Sequence, residues 1–203
     1  MSKTKFILAF AACAALMTSC SGAPDLEGSW AGQPMRLTQA GEPGVAGTIA
    51  NSQVNTRLTF VPDDSTVVLN SDINVMDVIG PNDLFINTYE LSVSATASIR
   101  GKYTLERDGD DYNVIIAFVD TTLAVDVDPQ AVTFNTNALT GKQQPELDTL
   151  RPHLAQNYCV SIRNDLHEYY SNFQHLEDVR VKDNILSLEL ADRDCTFRRV
   201  AEE

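Results

Sequence analysis

The stretch from Leu91 to Arg100 constrains the fold more than any other part of the chain. Leu91, Val93, Ala95, Ala97 and Ile99 fall on one side, and Ser92, Ser94, Thr96, Ser98 and Arg100 on the other. A strict period of two over this length specifies a β-strand with one dry and one wet face, because successive side chains of a strand point in opposite directions. No helix gives that pattern. The whole segment 84–100 reads as one strand, and Gly101 is expected to allow a bend or bulge before Lys102–Arg107.

The neighbouring segments carry the same signature. Val54, Thr56, Leu58 and Phe60 share a face, Pro62-Asp63-Asp64-Ser65 is a turn sequence, and Thr66–Leu69 returns as a second strand. Residues 73–79 offer a weaker strand, ended by Gly80-Pro81. Asp108-Gly109-Asp110-Asp111 closes a hairpin onto Tyr112–Val119, and Thr121–Val127 follows. An opening strand lies near 26–31, continued at 35–37. The Gly-, Ala- and Pro-rich run 38–53 and the run 128–145 read as surface loops.

The period then changes. Leu147, Leu150, Leu154, Tyr158, Ile162, Leu166, Tyr169 and Phe173 step by three or four, so 147–172 is expected to be an amphipathic helix. Pro152 fits only a first helical turn, which sets the expected start near Thr149. Three short strands close the chain, at 178–182, 185–190 and 195–200, with Asp183-Asn184 and Ala191–Asp194 as tight turns. The sum is about eight to ten strands and one helix inserted before the last three strands. So many strands joined in a meander are expected to close into a single antiparallel β-barrel over 26–203, because an open sheet leaves edges that invite aggregation.

The N-terminus reads as an export signal rather than as part of the fold. Lys3 and Lys5 precede an apolar run from Phe6 to Met17. Leu16-Met17-Thr18-Ser19-Cys20 resembles a bacterial lipobox, with Met17 where that motif usually has Leu. The expectation is a signal peptide over 1–19 and a lipid-modified Cys20, whose thiol carries diacylglycerol and whose amine takes a further acyl chain such as palmitate. Residues 20–25 would form a short tether. Buried methylenes contribute about 0.8 kcal/mol each, so two or three chains anchor a domain without a spanning helix. Ser21 is not the acidic residue that retains enterobacterial lipoproteins at the inner membrane, so the expected address is the outer membrane of the cell envelope.

Charge narrows the partners. The chain carries 15 Lys and Arg against 28 Asp and Glu, a formal charge of −13, which falls to −15 once the two signal lysines leave. A phosphate backbone needs clustered cations, so nucleic acid is excluded as a partner. An anionic bilayer repels such a domain, in keeping with a lipid tether. Of the four cysteines, Cys159 and Cys195 remain after Cys13 and Cys20 are assigned to the signal and the anchor. They form either a disulfide between the helix and the last strand or two separate buried thiols.

Gly28-Ser29-Trp30 on the first strand resembles the G-x-W signature of lipocalins. In that family the Trp plugs one barrel end and an Arg near the last strand packs over its ring, a role for Arg198 or Arg199 here. The layout is similar to lipocalin-like lipoproteins of Bacteroidetes, which have an L-T-F-x-x-D hairpin (Leu58-Thr59-Phe60-Val61-Pro62-Asp63) and a later G-x-Y strand (Gly101-Lys102-Tyr103). The resemblance spans most of 26–127 and the final strands and does not account for the helix. It implies a calycin-type barrel that holds a small hydrophobic ligand. The alternative is a structural lipoprotein that docks onto an envelope protein partner through its loops or its helix.

Catalytic and metal chemistry find no support in the spacing. His153, His167 and His175 match no metal-ligand pattern, and the acidic run at Asp108, Asp110 and Asp111 is explained as a hairpin turn. Asp126 and Asp128 read as turn residues in the same way. Small inward residues at Ala95 and Ala97 leave room for a ligand or for the helix. The chain is expected to be no enzyme and to need no cofactor.

Overall fold

The structure is a computed structural model that describes residues 22–37, 51–80, 88–135 and 144–201. Among the described residues there are ten strands, β1 (Gly28–Gly32), β2 (Asn51–Val61), β3 (Thr66–Ile79), β4 (Tyr89–Asp108), β5 (Asp111–Phe118), β6 (Ala124–Asp126), β7 (Val132–Phe134), β8 (His175–Lys182), β9 (Ile185–Glu189) and β10 (Asp194–Val200), and one long helix, α1 (Gln144–Ser171), between β7 and β8. Eight of the strands close on themselves in the order β3-β2-β1-β10-β9-β8-β5-β4, with β4 pairing back to β3. Every pairing is antiparallel. Neighbours around the ring are neighbours in the chain, save that β6, β7 and α1 intervene between β5 and β8 and that the first strand, β1, closes the ring on the last, β10. This is an up-and-down barrel, in which closure removes the free edges of the sheet.

The staves are of unequal height. β1, β5, β8, β9 and β10 have five to eight residues, whereas β2, β3 and β4 have 11, 14 and 20. The three long strands rise above the rest as a tall wall. Its upper margins are covered: β6 and β7 pair with β4 at Thr96–Ser98 and Leu91–Val93, and Met35 bridges Val54 on the β2 side. These additions shorten the stretches of β2 and β4 left open to edge-to-edge association.

Turn chemistry follows the sequence. Gly109 (φ 61°), Asp183 (φ 53°) and Asn184 (φ 61°) take the left-handed conformation that two-residue hairpins require. Ala191 and Asp192 do so in the next turn, where Leu190 and Arg193 exchange backbone hydrogen bonds.

The inward faces alternate as the sequence implies. Val67, Leu69, Ile73, Val75 and Ile79 of β3 and Leu91, Val93, Ala95, Ala97 and Ile99 of β4 are all buried. The partner of this wall is α1, whose Leu147, Leu154, Ala155, Tyr158, Ile162, Leu166, Tyr169 and Tyr170 are buried in the same core, as is Phe173 in the turn that follows it. His153 and His167 lie on its exposed face.

Five expectations need correction. The run 38–53 is not loop to its end, because Asn51, Ser52 and Gln53 belong to β2 and pair with Met76, Val75 and Asn74 of β3. α1 begins at Gln144 rather than near Thr149, and Pro152 lies inside it. The proline removes one helical donor, but its side chain is exposed while Leu147, Leu154 and Ala155 on either side are buried, so tertiary burial carries the helix through. The run 128–145 is not all loop: β7 buries Val132 and Phe134 and covers the upper margin of β4. Within 121–127 only Ala124–Asp126 is strand, after a short turn of helix at Asp120–Thr122. β4 also runs through Gly101 without a break. A Cβ there would stand 2.8 Å from the Ala117 carbonyl oxygen, so the glycine serves the close approach of β5 at the residue where β4 changes partner.

Candidate functional site

Two polar constructions and one cleft stand out from this scaffold. The first joins β1 to β10. Trp30 on β1 is fully buried, and its Nε1 donates to the Leu26 carbonyl at 2.8 Å. The Arg199 guanidinium lies over its ring, 4.5 Å from the centroid, and donates to the Asp25 carboxylate at 3.1 Å. Arg199 Nε is buried with no hydrogen-bond partner. The register sets this geometry, because Trp30 pairs directly with Arg199 across β1 and β10. Gly28 takes φ 94° beside the same guanidinium, a conformation that favours glycine. Of the two arginines the sequence offers, Arg199 does this work. Arg198, one residue earlier, points away and is exposed.

The second construction ties α1 into the barrel through three tyrosines. The Tyr158 hydroxyl donates to Asp77 Oδ2 on β3 at 2.5 Å. Tyr169 shares a hydrogen bond of 2.6 Å with Thr56 on β2, and Tyr170 donates to Ser71 on β3 at 3.0 Å. Thr56 and Ser71 are register partners and bond each other at 3.0 Å. The spacings match: six strand residues from Ser71 to Asp77 span about 20 Å, and twelve helical residues from Tyr158 to Tyr170 span about 18 Å. Tyr170 also packs on Phe118 of β5, so the last turns of α1 touch β2, β3 and β5 together. Burial raises the hydroxyl pKa of Tyr169 and pushes that of Tyr170 up to about 12, each partly offset by its hydrogen bond, so both remain protonated. Burial also raises the Asp77 carboxyl, against the pull of Tyr158 and the Val78 amide.

The cleft lies outside the tall wall, near its top. Asn51, Met76, Ser92 and Thr133 form one cross-strand row over β2, β3, β4 and β7. Val78 and Glu90 are paired in the row above. Together with Asn135 they outline a depression of about 550 Å³, which Asp77, Leu91 and Phe134 also line. Its lining is mainly apolar, and Met76 and Val78 are 61% and 43% exposed there. Ser92 and Thr133 hydroxyls bond each other at 2.7 Å, and Asn135 Nδ2 donates to Glu90 Oε2 at 2.8 Å.

The remaining sequence candidates are dispersed. Cys159 and Cys195 are free thiols, against the disulfide alternative. Cys159 Sγ lies 3.4 Å from the Val125 carbonyl beside β6, whereas Cys195 lies by Tyr169, ten residues further along α1. Ten helical residues span about 15 Å, well beyond disulfide reach. Asp111 pairs with Arg180 at 2.7 Å, and Asp128 accepts from the Gln130 amide at 2.8 Å, both as turn and surface partners. Among the described residues no three His, Cys, Asp or Glu side chains are grouped to hold a metal, and no helix is long and apolar enough to cross a membrane. Cys20 lies outside the described residues, as do the signal segment and positions 38–50 of the first loop.

Sequence reading missed the tyrosine ties and the cleft. Both left a signal. Asp77 breaks the inward apolar register of β3, and Met76 and Val78 place apolar side chains in its outward register. No protein-family model, no curated protein and no solved structure matches the chain.

Proposed function

We propose that this chain is a non-catalytic binding module, tethered to the envelope by lipid on Cys20 and taking a small hydrophobic ligand. The observation that carries the reading is the 550 Å³ depression walled by Met76 and Val78. Its size falls within the range of small-molecule sites, roughly 300–1,000 Å³, and so does its pattern of apolar walls with a few polar groups. The lumen that a lipocalin resemblance would offer is a less suitable place, because the inward side chains of β2, β3 and β4 are buried together with α1. The small residues Ala95 and Ala97 belong to that buried face. Support for a calycin-type barrel comes from the Gly28–Trp30–Arg199 cluster and the up-and-down strand order.

Native mass spectrometry of the chain purified from envelopes tests the reading. A retained small molecule, displaced when Met76→Asp narrows the apolar wall, is the expected result. A chain that carries nothing and takes up no apolar dye at the cleft overturns it. Palmitate labelling addresses the tether separately: label on the wild type and none on Cys20→Ser is expected, and an unlabelled wild type removes the anchor.

A docking lipoprotein is the second reading. The exposed apolar pair Met76 and Val78 favours it, since such a pair on a strand face suits contact with an envelope protein. Crosslinking from position 76 in cells would then recover one partner in fixed proportion.

A further inference from the structure

The outer face of the tall wall is built from residues that a strand does not favour. β3 turns Asn70, Asp72, Asn74, Met76 and Val78 outward, all exposed. β2 sets Asn55 beside Asp72 and Gln53 beside Asn74, and β4 sets Ser94, Thr96 and Ser98 on the other side. Asp126 of β6 extends the row of Asn55, Asp72 and Thr96. Asn and Asp are depleted in strands, where β-branched and aromatic residues pair better. β3 carries three of them in consecutive outward positions, although β2 and β4 flank it there. Local preference broken with no gain in packing is expected of functional surface.

The same residues line a run of hollows that continues the cleft. One of about 370 Å³ shares Asn51 and Met76 with it and reaches Asn74. Another, of about 250 Å³, is lined by Asn74, Asp72 and Asp126. A third, of about 330 Å³, shares Asp72, Thr96 and Asp126 and ends at Asn70 and Ala124. From Val78 to Asn70 this groove follows eight residues of β3, about 26 Å. It is apolar at Met76 and Val78 and lined elsewhere mainly by short amides, hydroxyls and carboxylates. Charges of both signs border it, Glu90 and Asp72 with Arg36 and Arg57, so no single sign of ligand charge is favoured. Both sides of β3 are paired over Asn70–Met76, which leaves an extended peptide no backbone edge to join. Recognition along the groove therefore falls to side chains.

Resting on the cleft reading above, we propose that cleft and groove form one extended site for a neutral amphiphile with a polyhydroxylated head, a glycolipid in chemical class. The apolar part lies against Met76 and Val78, and the head lies along Asn74, Asp72 and Asp126. A sugar hydroxyl both donates and accepts. Two neighbouring hydroxyls can donate to one carboxylate, and an Asn amide can donate to one hydroxyl and accept from another. Among the described residues no hydrogen bond or ion pair engages Asp72 or Asp126, so their oxygens are open to such donors. Ser94 already donates to Asn74 Oδ1 at 2.9 Å, which fixes the amide with its nitrogen free to donate.

Three probes with one tail separate this inference from the reading beneath it: decyl maltoside, a decyl tetraethylene glycol ether and decanol, each below its micelle concentration or solubility limit. The polyether head is neutral and large but has a hydroxyl only at its end. The probes are titrated into the chain from residue 20 onward, which includes every barrel strand and α1, with calorimetry for affinity and amide chemical shifts for location. The maltoside should bind at least roughly 5-fold tighter than the polyether, the worth of one net hydrogen bond. Its shifts should run from Val78 through Asn74 and Ser94 to Asp72, Thr96 and Asp126, whereas those of decanol stay near Val78 and Thr133. Asp72→Thr with Asn74→Thr should remove the advantage of the maltoside, leave decanol binding as it was and hold or raise the urea midpoint, because Thr suits a strand better. A polyether that binds as tightly as the maltoside, an advantage that survives the double variant, or a lowered midpoint overturns the polyhydroxylated head and leaves the cleft reading intact. Failure of all three probes to bind overturns the cleft reading and this inference with it.

Discussion

Tyr158 in the middle of α1 donates its hydroxyl to Asp77 at 2.5 Å, near the top of β3, so a helix that supplies no stave is pinned to the tallest part of the barrel by a buried carboxylate. Burial pushes the Asp77 carboxyl above its ordinary value near 3.8. A carboxyl with a raised pKa binds more protons folded than unfolded. Its contribution to stability is therefore present in full below about 3.8 and is lost as the pH rises through the folded-state value. Asp77→Asn removes that loss, so urea midpoints of this variant should fall less than those of the wild type between about pH 4 and pH 7. Parallel curves would show that Asp77 is not the group responsible.

Tyr158→Phe tests the other half of the pair. It strips a buried carboxylate of its side-chain donor, at a cost of about 1–3 kcal/mol at neutral pH. The cost should shrink as the pH falls, because a protonated Asp77 makes a weaker hydrogen bond with Tyr158 than a charged one does. Chemical denaturation at two pH values measures both numbers. An equal cost at both would mean that the hydroxyl contributes packing only.

Across β1 and β10, Arg199→Ala should cost about 0.5–2 kcal/mol through loss of the contact with Trp30. Arg198→Ala, on the exposed side of the same strand, should stay within about 0.5 kcal/mol of wild type. The chain has a single tryptophan, so its emission reports this site directly. A red shift on Arg199→Ala and none on Arg198→Ala is expected, and the reverse would reassign the arginine.

Strand periodicity carried most of this architecture into the sequence, because a half-buried strand must alternate and an amphipathic helix cannot. β2, β4, β5 and the last three strands are legible for that reason, as is the buried stripe of α1. Less legible is whatever depends on partners distant in the chain. β3 runs unbroken from Thr66 to Ile79 because β2 and β4 flank it, a support that no local pattern records. β7 is three residues long and exists to cover the upper margin of β4. The cleft joins β2, β3, β4 and β7 across more than eighty residues of sequence, so only the odd placement of Met76 and Val78 hinted at it. The G-x-W cluster was legible down to a choice of two arginines, and register decided between them.

Gly101 gives a sharp test of the barrel's closure. Its missing side chain lets β5 approach, and an added Cβ would meet the Ala117 carbonyl oxygen at 2.8 Å and an Ile116 methyl at 3.0 Å. Backbone cannot swing aside as a flexible side chain can, so Gly101→Ala should cost about 1–3 kcal/mol by overpacking. Gly109→Ala meets open space but strains a φ of 61°, with an expected cost of about 1–2 kcal/mol. The two are told apart by amide exchange. Gly101→Ala should loosen the hydrogen bonds between β4 and β5 near Phe118, whereas Gly109→Ala should affect only the hairpin tip.

The free thiols make the last prediction. Cys159 faces the Val125 carbonyl and Cys195 lies on β10 opposite Leu188. Burial raises the Cys195 thiol pKa, which keeps it protonated and slow to react. Alkylation under denaturing conditions should therefore label both residues equally with and without reductant, in chain recovered from the envelope. Cys159→Ser with Cys195→Ser should lower stability by about 1 kcal/mol, against the 2–5 kcal/mol typical of a lost native disulfide. Mass that increases on alkylation only after reduction would show that the two sulfurs meet, and α1 would then have to slide some three turns along the barrel wall from where it lies.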